Sequence, residues 1–117
     1  MRAQKRVGRW GEQAASDYLE KSGYTILERN FRSAHGEIDL IAQQDNILVF
    51  VEVKARSSNR YGAPEFSVTP RKQQHILSAA QEYVLAHPEF RTWRVDVIAV
   101  EGETGEAKIR HFENVVS

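Results

Sequence analysis

Apolar positions near the start of the chain recur at helical spacing. Trp10, Ala14 and Tyr18 form one stripe, and Ala15 and Leu19 widen it. The stripe predicts an amphipathic helix from about Val7 to Ser22, stopped by Gly23. The period then changes to two. Tyr24, Ile26 and Glu28 alternate as a short strand, and Asn30 to His35 reads as a polar connection. Glu37 to Gln43 and Ile47 to Lys54 are rich in branched apolar residues, and the Asp45-Asn46 pair between them suits a two-residue hairpin turn. Ala55 to Val68 has no period and contains Ser57, Ser58, Asn59, Gly62 and Pro64, which predicts a long loop. Thr69-Pro70 then gives an N-cap and a proline at the first helical position. Ile76, Leu77, Ala80, Tyr83 and Val84 supply that helix with a buried face, and Pro88 lies just past its end. Trp93 to Val100 and Lys108 to Asn114 are predicted strands around the Gly102 to Gly105 turn. The order α-β-β-β-α-β-β implies a mixed five-stranded sheet flanked by helices, in the α/β or α+β class.

Composition narrows the picture. A chain of 117 residues with 41% hydrophobic residues suits one domain spanning 1–117, large enough to bury a core without covalent staples. Cysteine is absent, which excludes a disulfide scaffold, a thiolate zinc site and a cysteine nucleophile. No apolar run approaches a membrane span, and Met1 to Gly11 lacks the apolar core of a signal peptide, so the expectation is a cytoplasmic protein with no membrane contact.

Sixteen Lys plus Arg balance sixteen Asp plus Glu, so any polyanion site must be local. The sharpest local feature is Arg2, Lys5, Arg6 and Arg9, with no acid before Glu12. These cations lie near the positive end of a helix dipole, where they do not stabilise the helix. They read as a basic arm over 1–7, either solvated or in contact with phosphate. Arg56 and Arg60 follow the second apolar strand closely enough to touch a nucleic-acid backbone. His35, His75, His87 and His111 show neither metal-ligand spacing nor a nucleophile partner and read as surface residues.

The acids carry the candidate chemistry. Side chains alternate across a strand, so Glu37 and Asp39 share one face, and Phe50, Glu52 and Lys54 share one face of the next strand. With a two-residue turn at Asp45-Asn46, Asp39 falls opposite Glu52 and Glu37 opposite Lys54. Directly opposed carboxylates conflict unless a proton or a cation lies between them. Mg²⁺ removes the conflict, since it takes hard oxygen ligands and is typically held by one or two carboxylates plus phosphate oxygens. An acid, an acid and a lysine on a solvated strand face are also ordinary. The apolar run up to Glu52 marks a central strand, however, and central strands seldom carry ionisable pairs for solubility alone. Glu12, in line with Ala15 and Leu19 on the first helix, can reach the same region, or can simply serve the helix dipole.

The segments Gly36-Glu37-Ile38-Asp39-Leu40-Ile41-Ala42 and Leu48-Val49-Phe50-Val51-Glu52-Val53-Lys54-Ala55-Arg56 resemble the YraN-like family of small uncharacterised bacterial proteins. The likeness extends to Gly11-Glu12, Gly23-Tyr24, Asn30-Phe31-Arg32, the Lys72-containing helix and Arg94-Val95-Asp96-Val97. That family looks like a branch of the PD-(D/E)xK nuclease superfamily, near the Holliday-junction resolvases. The resemblance implies a restriction-endonuclease or resolvase-like sheet and a site pattern in which Asp39 and Glu52 ligate Mg²⁺ or Mn²⁺. It implies that Lys54 is the catalytic lysine and that Glu12 joins the metal site. Ile38 stands where the nominal motif has proline, a change that leaves the ligands untouched. The implied activity is endonucleolytic hydrolysis of DNA phosphodiesters, with branched DNA as a candidate substrate and a homodimer as the form able to cut two strands related by a two-fold axis. Lys72 joins Arg2, Lys5, Arg6, Arg9, Arg56 and Arg60 as a candidate for nucleic-acid contact, although Lys72 and Asp96 also suit structural salt bridges. Two readings from other classes stand beside it: a non-catalytic nucleic-acid-binding module of the same fold, and a scaffold that dimerises through its 55–68 loop.

Overall fold

The computed structural model describes residues 2–56, 69–102 and 107–115, with the side chains of 9–55 within the first of these segments. Helix α1 (Arg2–Lys21) leads into β1 (Thr25–Arg32), β2 (Glu37–Gln44) and β3 (Ile47–Arg56); α2 (Pro70–Ala86), β4 (Thr92–Glu101) and β5 (Lys108–Phe112) follow. The strands form one sheet in the order β1-β2-β3-β4-β5. Only the β3/β4 pairing is parallel, and α2 makes the crossover that a parallel pair requires.

Most predicted elements are present, with three corrections at their ends. The backbone helix begins at Arg2 and not near Val7, so residues 2–7 are the first turns of α1. The connection expected at Asn30 to His35 is strand as far as Arg32, because Phe31 and Arg32 pair with Ile38 and Glu37 of β2. Ala55 and Arg56 likewise extend β3, since β4 offers Val100 and Glu101 as parallel partners. The remainder of the expected loop, 57–68 including Arg60, lies outside the described residues, as do 103–106 of the expected turn.

The hairpin and the second helix follow their local signals. Gln44 pairs with Ile47 across the predicted Asp45-Asn46 turn, and Asp45 adopts φ 54°, the positive angle that two-residue hairpin turns require at that position. The Thr69 side chain accepts a hydrogen bond from Lys72 N–H at 3.2 Å, capping α2 ahead of Pro70.

Two cores lie on the two faces of the sheet. Ala15 and Leu19 of α1 pack with Leu40, Ala42, Val49, Val51, Ile98 and Val100. Ile76, Ala79, Ala80 and Tyr83 of α2 pack with Ile38, Ile41, Leu48, Phe50, Val95 and Val97. β3 contributes to both, as its near-continuous apolar run requires.

One irregularity positions the candidate site. Leu40 belongs to the α1 core, whereas Ile38, two residues earlier, belongs to the α2 core. In a regular strand both would share a face, so β2 rolls over between them. Its partner rolls with it. Arg29, opposite Leu40, donates from Nη1 to Ser16 Oγ of α1 at 2.9 Å, while Phe31, opposite Ile38, meets the Tyr83 ring of α2 at a centroid distance of 5.2 Å. Asn30 makes the roll with φ 52°, a left-handed angle that asparagine tolerates better than most residues.

Candidate functional site

Asp39 lies at the roll, where β2 and β3 part. Their ladder runs from Gln44↔Ile47 to Leu40↔Val51 and stops there. Val53 N–H, which a continued ladder would have matched to main chain, donates instead to Asp39 Oδ2 at 2.8 Å. A side-chain carboxylate thus fills a gap in the sheet. This corrects the flat cross-strand arrangement expected from the sequence. Glu37 does not meet Lys54 but lies opposite Arg32 of β1, with Arg32 Nε 3.8 Å from its Oε2.

Glu52 is only 7% exposed, one residue before the N–H that Asp39 holds. It follows Phe50 on the face of β3 that packs toward α2. Lys72, in the first turn of α2, places Nζ 3.2 Å from Glu52 Oε2. Lys54 lies on the same face of β3, half-buried and opposite Ala99 of β4.

Two glycines set the helices against this pocket. A Cβ on Gly11 would stand 2.7 Å from Ala55 Cβ, so α1 reaches β3 closely only because residue 11 has no side chain. That contact brings Glu12 to the edge of the pocket, where it accepts a side-chain hydrogen bond from Asn30. Gly36 plays the same part for α2: a Cβ there would be 3.0 Å from both the Cβ and the carbonyl oxygen of His75. His75 is one helical turn beyond Lys72, so the Gly36 approach helps to carry Lys72 onto Glu52.

Gly11→Ala is a direct test of this packing. Relief of the Cβ contact requires α1 to move by about 1 Å, since carbon atoms prefer separations near 3.5 to 4.0 Å. The expected cost is roughly 1 to 3 kcal/mol of overpacking, partly offset by about 1 kcal/mol of helix propensity. Urea melts measure the loss, and adding Ala55→Gly should restore the Trp10 fluorescence of wild type. A single mutant as stable as wild type, with unchanged fluorescence, would show that α1 is not held by this contact.

The electrostatics match the geometry. Burial, reinforced by the charge of Glu52, pushes the Asp39 carboxyl up to about 7. Burial also raises Glu12, against the lowering effect of its Asn30 hydrogen bond, and Glu37 and Glu52 raise it further. For Lys72, burial works against the charge, but Glu52, Asp39 and Glu37 more than offset it and hold the ammonium above its ordinary range. The pocket therefore gathers more negative charge than its lysines balance.

Asp39 and Glu52 offer hard oxygen donors to a divalent cation. Among the described residues, no three Asp, Glu or His side chains gather closely enough to form a metal cage. The donor set fits a cation that takes one or two carboxylates and keeps its waters, as Mg²⁺ does, better than one that needs a closed protein cage.

The other candidates fall in different places. Arg9 is exposed on α1. Arg2, Lys5 and Arg6 belong to the same helix, and Arg56 ends β3; the side chains of these four lie outside the described residues. Of the two partners that the sequence allows Lys72, phosphate or a carboxylate, the structure supplies the carboxylate of Glu52. A sequence signal for this existed, because a cation in the first turn of α2 opposes the helix dipole and so serves something other than its own helix. The involvement of Asn30 had no such signal beyond its tolerance of positive φ.

One histidine departs from the surface placement expected of all four. The His111 side chain is not on the surface but 9% exposed, in a network around Asp96, which is itself 0% exposed. Asp96 accepts from His111 Nε2 at 2.7 Å, Arg94 Nε at 3.0 Å and the Asn114 N–H at 2.9 Å. The Tyr18 hydroxyl is hydrogen-bonded to the remaining ring nitrogen at 3.0 Å, and Arg94 donates from Nη2 to the Tyr24 hydroxyl at 2.8 Å. These partners stand as many as 93 residues apart in the chain, so no local spacing revealed them.

Comparison with known proteins places the chain among bacterial sequences of similar length. The model of the uncharacterised protein family UPF0102 matches residues 11–100. The UPF0102 protein of Syntrophomonas wolfei is 46% identical over 111 residues, covering 94% of this chain and 96% of that one. The UPF0102 protein of Chlorobium chlorochromatii is 49% identical over 107 residues, covering 91% and 83% respectively. Among solved structures, Pyrococcus furiosus SfsA in complex with Ca²⁺ aligns with a TM-score of 0.45 at 15% identity, over 93% of this chain and 64% of that one.

Proposed function

We propose that this chain, which belongs to the uncharacterised family UPF0102, is a divalent-metal-dependent endonuclease that hydrolyses DNA phosphodiester bonds. The observation that carries the reading is the acid pair of half-buried Asp39 and buried Glu52, set where two strands part and faced by Lys72. A pair so placed weakens the sheet, since its carboxylates repel and one replaces a main-chain partner. Such a cost is characteristic of residues kept for chemistry.

Asp39 and Glu52 would hold Mg²⁺ or Mn²⁺, which would supply Lewis-acid polarisation of a phosphate oxygen. Asp39 is oriented by Val53 N–H, and Glu52 is set by its place on the central strand. Lys54 projects from the same strand face, where its ammonium would stabilise charge on the phosphoryl oxygens or orient the attacking water. Glu12 adds negative charge at the pocket edge and favours cation entry. α1 carries Arg2, Lys5, Arg6 and Arg9 and meets β3 at Gly11, beside the pocket, which supports contact between that helix and a phosphate backbone. No helix among the described residues is long and apolar enough to cross a membrane.

The test is incubation of purified protein with branched, single-stranded and duplex DNA in Mg²⁺ or Mn²⁺, with EDTA as control. The expected result is cleavage that EDTA abolishes and Lys54→Ala removes. Binding without cleavage in either metal would favour the non-catalytic module. Neither binding nor cleavage on any DNA would overturn the reading.

A further inference from the structure

Lys72 stands where a cation of the acid pair belongs. Its Nζ is 3.2 Å from Glu52 Oε2, yet its side chain is 47% exposed while that of Glu52 is 8% exposed. The carboxylate is fixed on the central strand, and the ammonium is carried on a stem half in solvent. Helix α2 itself gives no support to a cation at this position. Residue 72 is in the first turn, no acid lies in that turn, and the cap is made by Thr69. The charge of Lys72 is therefore held by the strand pocket, where Glu52, Asp39 and Glu37 all attract it.

Resting on the reading of Asp39 and Glu52 as cation ligands, we propose that Lys72 is an exchangeable counter-ion: it neutralises Glu52 before metal binds, yields that position to a divalent cation, and then contacts a phosphate of the nucleic acid. An ammonium and a divalent cation on one carboxylate repel each other, and the repulsion is strong where water is scarce. Lys72 is the partner able to leave, because its stem reaches solvent and Glu52 does not. Its outward path keeps it at the mouth of the pocket, where a phosphate bound at the acid pair would lie. Lys72 thus differs from Lys54, which shares a rigid strand with Glu52 and whose backbone cannot withdraw from it.

The test uses the full chain and Mn²⁺ alone, titrated by calorimetry at a pH where both acids are ionised. Lys72→Met removes the competing charge and keeps the apolar stem. It should tighten Mn²⁺ binding by about twofold to fivefold, the upper range expected for a half-exposed ion pair. Lys72→Arg keeps the charge and should bind Mn²⁺ as wild type does. Binding of a short DNA oligonucleotide in Ca²⁺ should weaken about fivefold in Lys72→Met, as loss of one phosphate contact predicts, and recover in Lys72→Arg. Mn²⁺ affinity that is unchanged or weaker in Lys72→Met would overturn the exchange and make Lys72 a structural partner of Glu52. Oligonucleotide binding indifferent to Lys72→Met would overturn the phosphate contact. Failure of wild type to bind Mn²⁺ while Lys72 still governs oligonucleotide binding would instead overturn the metal reading, and the exchange with it.

Discussion

Asp39→Asn should yield a protein that is more stable than wild type at pH 8 and at least about a hundredfold poorer in metal-dependent cleavage, the loss expected when a ligand's charge is removed from a metal site. The amide oxygen can still accept from Val53 N–H, so the fork between β2 and β3 is preserved. What disappears is the charge that burial and Glu52 oppose. The pH dependence follows from the same cause. Because the folded carboxyl is raised from 3.8 to about 7, the native state binds more protons than the unfolded chain across that interval. Its contribution to stability is present at low pH and is lost as pH rises from about 4 to about 7. A tenfold change in an ionisation constant corresponds to about 1.4 kcal/mol, so a few kcal/mol are at stake. Urea melts at pH 5 and pH 8 should show this loss in wild type and a much flatter response in Asp39→Asn. A variant less stable than wild type at pH 8 would mean that the Asp39 charge supports the fold instead of opposing it.

Asp96 has the opposite sign and a different purpose. Burial alone would raise its carboxyl, but the bonds from His111, Arg94 and the Asn114 N–H overcome this and hold it below its ordinary value. Its stabilising contribution is present above the unfolded value and is lost as pH falls through the folded one. Asp96→Ala leaves Arg94, His111 and a main-chain N–H without their acceptor, in a region where water cannot easily replace it. The expected loss is about 3 to 5 kcal/mol, the cost of breaking a buried charge pair by removing one partner. For a domain of this size the melting temperature should fall by roughly 10 to 25 °C. Calorimetry measures it, and a fall of only a few degrees would show that the network is dispensable. Metal affinity, measured below the new melting temperature, should change little, because Asp96 belongs to the face of β4 that packs against α1 and not to the Asp39 pocket.

The two acids show how legible the chain was. Both are aspartates in apolar strands, and each has a glycine- or arginine-bearing motif before it. Asp39 could be singled out because a short turn fixes the register of the next strand, so a local signal reached a non-local neighbour. Asp96 could not be given its network, because His111 and Asn114, which bond it directly, and Tyr18 and Tyr24, which bond His111 and Arg94, come from other parts of the chain. The same limit explains Glu37, whose expected partner Lys54 was lost when the strands parted, and Lys72, whose carboxylate lies on a strand twenty residues earlier.

The helix stripe, the hairpin turn, the Thr69-Pro70 cap and the acids at Asp39 and Glu52 were determined by the sequence itself, since each depends on residues within one or two turns or one tight hairpin. The roll at Asn30 and Asp39, the end of the ladder, the close approaches at Gly11 and Gly36 and the seat of Lys72 on Glu52 were decided only by the tertiary structure. They arise where packing on both faces of the sheet competes with regular pairing, and that competition involves residues far apart in the chain.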